Sequence, residues 1–219
     1  AWNAPAVPYM GEHNRNFCWG GGTAIRRATF EAISVARYWA GAVSDDYRLT
    51  QALREARQTA GGQASKTIVF VPQCLVATQQ EPRWSQLWEW TTRQILITRA
   101  YSSALWRWAV VAHLFYCGTF LLGLALAAQR SFSQPQTSLA ILLTLAGIAA
   151  LGIVKGVYRL QAVLLLLPEH GAQLRRTWWS LILQAPLVPW LLLANLLAST
   201  TTRRLTWRGH APRGRLRRR

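Results

Sequence analysis

The chain has 219 residues, is 51% apolar, and carries a net charge of +17 from 25 basic and only eight acidic side chains. Seven of the acids precede residue 90 and only Glu169 follows, so the second half is long apolar runs punctuated by arginine. That is membrane-protein composition, and it excludes a soluble basic domain as a description of the whole chain. Cys18, Cys74 and Cys117 are odd in number and without CxxC spacing, and the four histidines are dispersed, so neither a disulfide framework nor a zinc site is indicated. The chain begins at Ala1 without a Met, and the expectation is the C-terminal part of a longer protein.

Residues 1–82 read as α/β material. "NFCWGGGTAIRR" has an extended character with a turn at Gly20-Gly21-Gly22, and "ATFEAISVARYW" places Phe30, Ile33, Ala36 and Tyr38 near helical spacing. Gly41 ends that helix. Ser44 or Asp45 then supplies the N-cap of a second helix, "DDYRLTQALREARQT", with Tyr47, Leu49, Leu53 and Ala56 on its apolar side. "AGGQ" breaks the helix, and "KTIVFVP" is expected to be a short strand stopped by Pro72.

From residue 83 to 108 the composition becomes interfacial. Five tryptophans and four arginines accompany a single acid, and Trp84, Leu87, Trp88, Ile95 and Leu96 form an apolar stripe, which predicts one or two helices lying on a membrane surface. Transmembrane helices follow at about 109–128, 138–160 and 178–197, within a region ending near 200. The third contains Gln184, Pro186, Pro189 and Asn195, which suits a broken or re-entrant helix facing protein. The tail, 201–219, is basic. Positive-inside reasoning puts both the tail and the Arg83–Arg107 belt on the cytoplasmic side, which three full crossings do not allow, so either one apolar segment, the third by preference, is expected not to cross, or the tail departs from the rule.

Asp45 and Asp46 are the only aspartates. They stand at a helix start, where capping and the helix dipole account for two carboxylates without any chemistry, and where the same forces would hold an ionised general base in place. The order "CWGGGTAIRRATFE", "VSDDYRL", "IVFVPQCLV", then an aromatic helix with "RQILITR" and membrane segments resembles the C-terminal half of the family-2 and ceramide-glucosyltransferase-like glycosyltransferases. The resemblance implies an α/β fold, a partial GT-A sheet domain in 1–82, followed by interfacial helices and a transmembrane region. It implies an inverting transfer from a nucleotide-sugar donor, a UDP-sugar, to a lipid acceptor. Asp46 occupies the last position of the (T/S/A)-(E/D)-D motif as general base, and Asp45 the preceding acidic position.

Gly20, Gly21 and Gly22 would floor the acceptor pocket, where the absence of Cβ allows close approach. The (Q/R)xxRW position falls on Arg93 or Gln94, but the Arg-Trp pair is missing, which argues for a single transfer and against a polysaccharide synthase. Arg93 or Arg99 would face the diphosphate, or else bind lipid headgroups together with the interfacial Trp84 and Trp88. No DxD occurs, so the family's divalent cation, Mg or Mn, is expected to be held by an N-terminal part outside this chain, with no metal site here. The implied location is a bacterial plasma membrane with the catalytic part cytoplasmic. The alternatives are a non-catalytic membrane anchor or scaffold and a polysaccharide-synthase type enzyme. A nucleic-acid partner is rejected because the charge surrounds apolar spans.

Overall fold

The computed structural model describes residues 16–20, 22–59, 67–74 and 83–202. The chain divides into two compact units, Ala1–Gln79 with Ala162–His170, and Gln80–Gln161 with Gly171–Arg219.

In the first unit, α1 (Arg27–Ala32) and α2 (Val35–Trp39) take the place of the single helix expected across 28–39. The break is at Ser34, the one non-glycine residue among those described with positive φ (53°), and it turns Ile33 and Val35 into the same core. Gly41, at φ 68°, reverses the chain after α2, a conformation that glycine adopts without steric cost. Helix α3 (Asp45–Thr59) then buries Leu49, Ala52 and Leu53 against Ile33, Val35 and Cys18. Its bounds are those read from the apolar spacing.

The α/β expectation is overturned. Among the described residues there is no β-strand, so these residues form no GT-A sheet and their architecture is all-helical. Residues 67–71 lack secondary structure, and Pro72–Cys74 form a turn of 3-10 helix. A strand exists only through a ladder with a neighbour. Here the Ile68 carbonyl is taken at 2.8 Å by the side-chain amide of the buried Asn16, a side-chain bond in place of a backbone ladder, and Pro72 brings no N–H. The β-branched composition of "TIVFV" was a strand propensity that forms no ladder among the described residues.

In the second unit, α4 (Trp84–Tyr101) is separated by Ser102 from α5 (Ser103–Arg130), and α6 (Pro135–Leu166) follows. Helices α5 and α6 are long and apolar enough to cross a membrane. At about 42 and 48 Å they exceed a hydrocarbon core of about 30 Å. Only 6% and 11% of their most apolar windows are buried within the protein, so they are not core helices of a soluble domain. Phe115, Leu121, Leu122, Leu143 and Leu151 present apolar surface that lipid covers at no cost.

The third apolar run, expected at 178–197 and to be broken, is two helices, α7 (Gly171–Leu183) and α8 (Val188–Thr201), joined by a turn through Pro186. Gly156 of α6 lets this region come close, since a Cβ there would stand 3.3 Å from that of Ala185. Helix α8 has 14 residues, about 21 Å, too short to cross. It lies antiparallel to α5, with Trp190 edge-on to Phe120 at 6.4 Å and Ser199 bonded to Trp106 at 3.0 Å. Its C-terminal end thus returns to the start of α5.

Candidate functional site

The helix α3 start is built by side chains from three segments. Ser44 precedes the helix as its N-cap, with its carbonyl accepting the Arg48 N–H at 3.3 Å and its hydroxyl 3.5 Å from the Tyr47 N–H. Asp45 and Asp46 are therefore the first two helical residues, beyond the cap position. One turn on, the Thr50 hydroxyl donates to the Asp46 carbonyl at 2.8 Å and accepts the Cys18 N–H at 2.9 Å. That relay ties the 16–19 segment to the first turn of α3. It is why Gly20, two residues further, can donate its N–H to Asp46 Oδ2 at 3.2 Å.

Asp46 is half-buried and its carboxylate is oriented by three donors. Oδ2 accepts from Gly20, and Oδ1 accepts from the Tyr47 N–H at 2.8 Å and from the Ser44 hydroxyl. A carboxylate oxygen has two acceptor directions, so Oδ2 retains one after Gly20 is served. Asp45 is exposed, and its Oδ1 accepts the Asp46 N–H at 3.0 Å. Gly20 lets the carboxylate come close: a Cβ there would stand 3.3 Å from Asp46 Oδ2, tight enough that the carboxylate would have to give by a few tenths of an ångström. A Cβ on Gly22 would meet nothing within 4 Å, and Gly21 lies outside the described residues.

Cys18 and Trp39 complete the surroundings, and the sequence analysis gave neither a role here. Burial pushes the Cys18 thiol up, outweighing the Thr50 hydrogen bond, so the sulfur is a neutral packing group and not a nucleophile. Trp39 ends α2 and its indole N–H donates to the Asp45 carbonyl at 3.0 Å. Phe30 packs edge-on against the Trp39 ring, 5.3 Å between centroids. No periodic signal marks Trp39, because its contact depends on the turn at Gly41. A shallow groove in this unit, about 380 Å³, lies elsewhere, between Ile33 and Tyr38 on one side and Ala52 and Glu55 on the other.

The remaining expected residues belong to the second unit. Trp84 is 80% exposed and Trp88 is also exposed, at the start of α4. Arg93 and Gln94 are half-buried in the middle of that helix. Arg99 is engaged within the protein: its guanidinium donates to the carbonyls of Ser199 and, at 3.2 Å, Thr200, and stands 5.3 Å from the centre of the Trp106 ring. It thereby serves the unsatisfied carbonyls at the end of α8. Asn195 is fully buried, its Oδ1 facing the hydroxyls of Thr91 (3.0 Å) and Thr92 (2.7 Å) and its Nδ2 donating to the Leu191 carbonyl at 2.9 Å.

No group of three or more His, Cys, Asp or Glu side chains gathers into a metal-binding arrangement among the described residues. No family model, curated protein or solved structure matches this chain. The reading of the site therefore stands on its own geometry.

Proposed function

We propose that the chain carries the acceptor-side part of a membrane glycosyltransferase, with Asp46 as the general base that takes the proton of a lipid hydroxyl. The observation that supports this reading is the convergence of Gly20, Ser44 and the α3 backbone on one carboxylate. Both aspartates serve the helix start, Asp46 by accepting the Tyr47 N–H and Asp45 by accepting the Asp46 N–H. Capping does not account for the further bond from Gly20, 26 residues away, and a carboxylate fixed in this way suits a general base.

The reaction follows from those roles. As the acceptor O–H bond lengthens, its proton passes to Asp46 and the oxygen forms a bond to the anomeric carbon of the donor sugar. The bond from that carbon to the diphosphate oxygen breaks on the opposite face, its electron pair leaving with the nucleoside diphosphate, so configuration inverts. A divalent cation, when bound, would supply charge neutralisation for the leaving diphosphate. With only two aspartates here, adjacent and one of them the base, its ligands are assigned to carboxylates other than these.

The reading further places the protein in a bacterial plasma membrane with the transfer on the cytoplasmic face, where nucleotide sugars are. Two helices long and apolar enough to cross support the membrane location, and the arginines around them support that side. The test is Asp46→Asn in the full-length protein, assayed with a labelled UDP-sugar and membrane lipid. The amide retains hydrogen-bonding ability at the helix start but is not a base, so transfer is expected to fall by about 10²- to 10⁴-fold. Undiminished lipid labelling would remove Asp46 from the mechanism.

A further inference from the structure

We propose that Trp39 is the surface on which a pyranose ring stacks beside Asp46, making it a positioning residue that selects which ring reaches the base; this rests on the reading of Asp46 above. Three constraints fix its indole. It ends α2, which Gly41 turns back toward α3; its N–H is held by the Asp45 carbonyl at 3.0 Å; and Phe30 packs edge-on against it at 66°. The ring nevertheless remains 39% exposed.

The direction of the N–H separates this tryptophan from a bilayer anchor. An interfacial indole buries its ring and turns its polar edge toward water and headgroups. Trp39 does the reverse, spending its only donor on backbone and leaving apolar ring in solvent. Such a surface suits a partner that is apolar on its face and polar at its rim. A saturated sugar ring has that form: its C–H groups pack on the π face while its hydroxyls stay free for hydrogen bonds. Because the anchoring carbonyl belongs to the residue before Asp46, a ring seated on the indole lies beside the helix start that carries the base. The ring is preorganised, so little conformational freedom is lost on binding.

The ring could come from the donor sugar or from a sugar headgroup of the acceptor, and a planar nucleobase is the competing occupant. Saturation-transfer NMR on the full-length protein in nanodiscs separates them, using UDP-glucose, methyl β-glucoside and uridine as probes. Expected is transfer to pyranose ring protons of UDP-glucose or of the methyl glucoside, which identifies the source. Trp39→Ala should weaken it by about three- to tenfold, and Trp39→Phe, which keeps a ring but loses the N–H anchor, should retain most of it. In the transfer assay the same pair should split, with Trp39→Ala raising KM for the ring-bearing substrate and Trp39→Phe largely restoring it. A structural role for the indole would impair both variants alike, and transfer confined to uracil protons would assign the ring to the base; either overturns the proposal. Failure of Asp46→Asn to reduce activity would leave the NMR result standing, so the two readings fail separately.

Discussion

Gly20 and Gly22 are two residues apart, yet a methyl group meets different surroundings at each. At Gly20 it would crowd Asp46 Oδ2 at 3.3 Å, displacing either the carboxylate or the N–H that orients it, while at Gly22 it would enter open space. A shift of a few tenths of an ångström at a reacting group is costly to rate. Gly20→Ala is therefore expected to lower transfer by about tenfold or more with little change in protein yield, and Gly22→Ala to leave kcat/KM nearly unchanged. Equal activities would show that the Gly20 contact does not serve the reaction. The connection of these glycines to the aspartates was legible because both belong to one ordered motif set. The role of Trp39 was not, since a tryptophan at the end of a short amphipathic helix carries no sign of what the following turn brings it against.

Among the elements, the helices with strong spacing and clear ends were legible, and those depending on neighbours were not. Helix α3 was readable because Ser44 starts it and Leu49, Ala52 and Leu53 share a face. The expected strand at 66–72 had the right residues, but hydrogen-bonded pairing cannot be read from one strand alone. The third apolar run was legible as broken from its prolines, and Pro186 lies in the turn between α7 and α8, but the prolines do not say how α8 is seated. Its amide was the better signal. Asn195 is buried against Thr91 and Thr92, where an unpaired polar group would be expensive, so it fixes which face of α8 meets α4. Asn195→Ala should cost about 1 kcal/mol in detergent-solubilised unfolding, and Asn195→Asp, with no amide N–H for the Leu191 carbonyl, should not recover it. No change in either variant would mean that apolar contacts with α5 alone seat the helix.

At the scale of the molecule, the described residues hold two helices long and apolar enough to cross, an even number, as two basic belts on one side would require. Two helices can cross, and α8 ends where α5 begins, with the Thr200 carbonyl 3.2 Å from Arg99. Thr202 and the α4–α5 corner thus face the same side. Single cysteines placed at Thr202 and at Ser103 in a cysteine-free background should react with an impermeant maleimide from the same side of sealed vesicles, and one at Ser133, between α5 and α6, from the other. Labelling of Thr202 together with Ser133 would require α8 to cross. The corner itself carries a consequence for synthesis. Its bonds join Trp106 and Arg99 to residues 93 and 101 positions later in the chain. At about 5–20 residues per second, translation takes roughly 5–20 s to reach them. Until then nothing from α8 holds the corner, and the angle between α4 and α5 at Ser102 is set only when the last helix arrives.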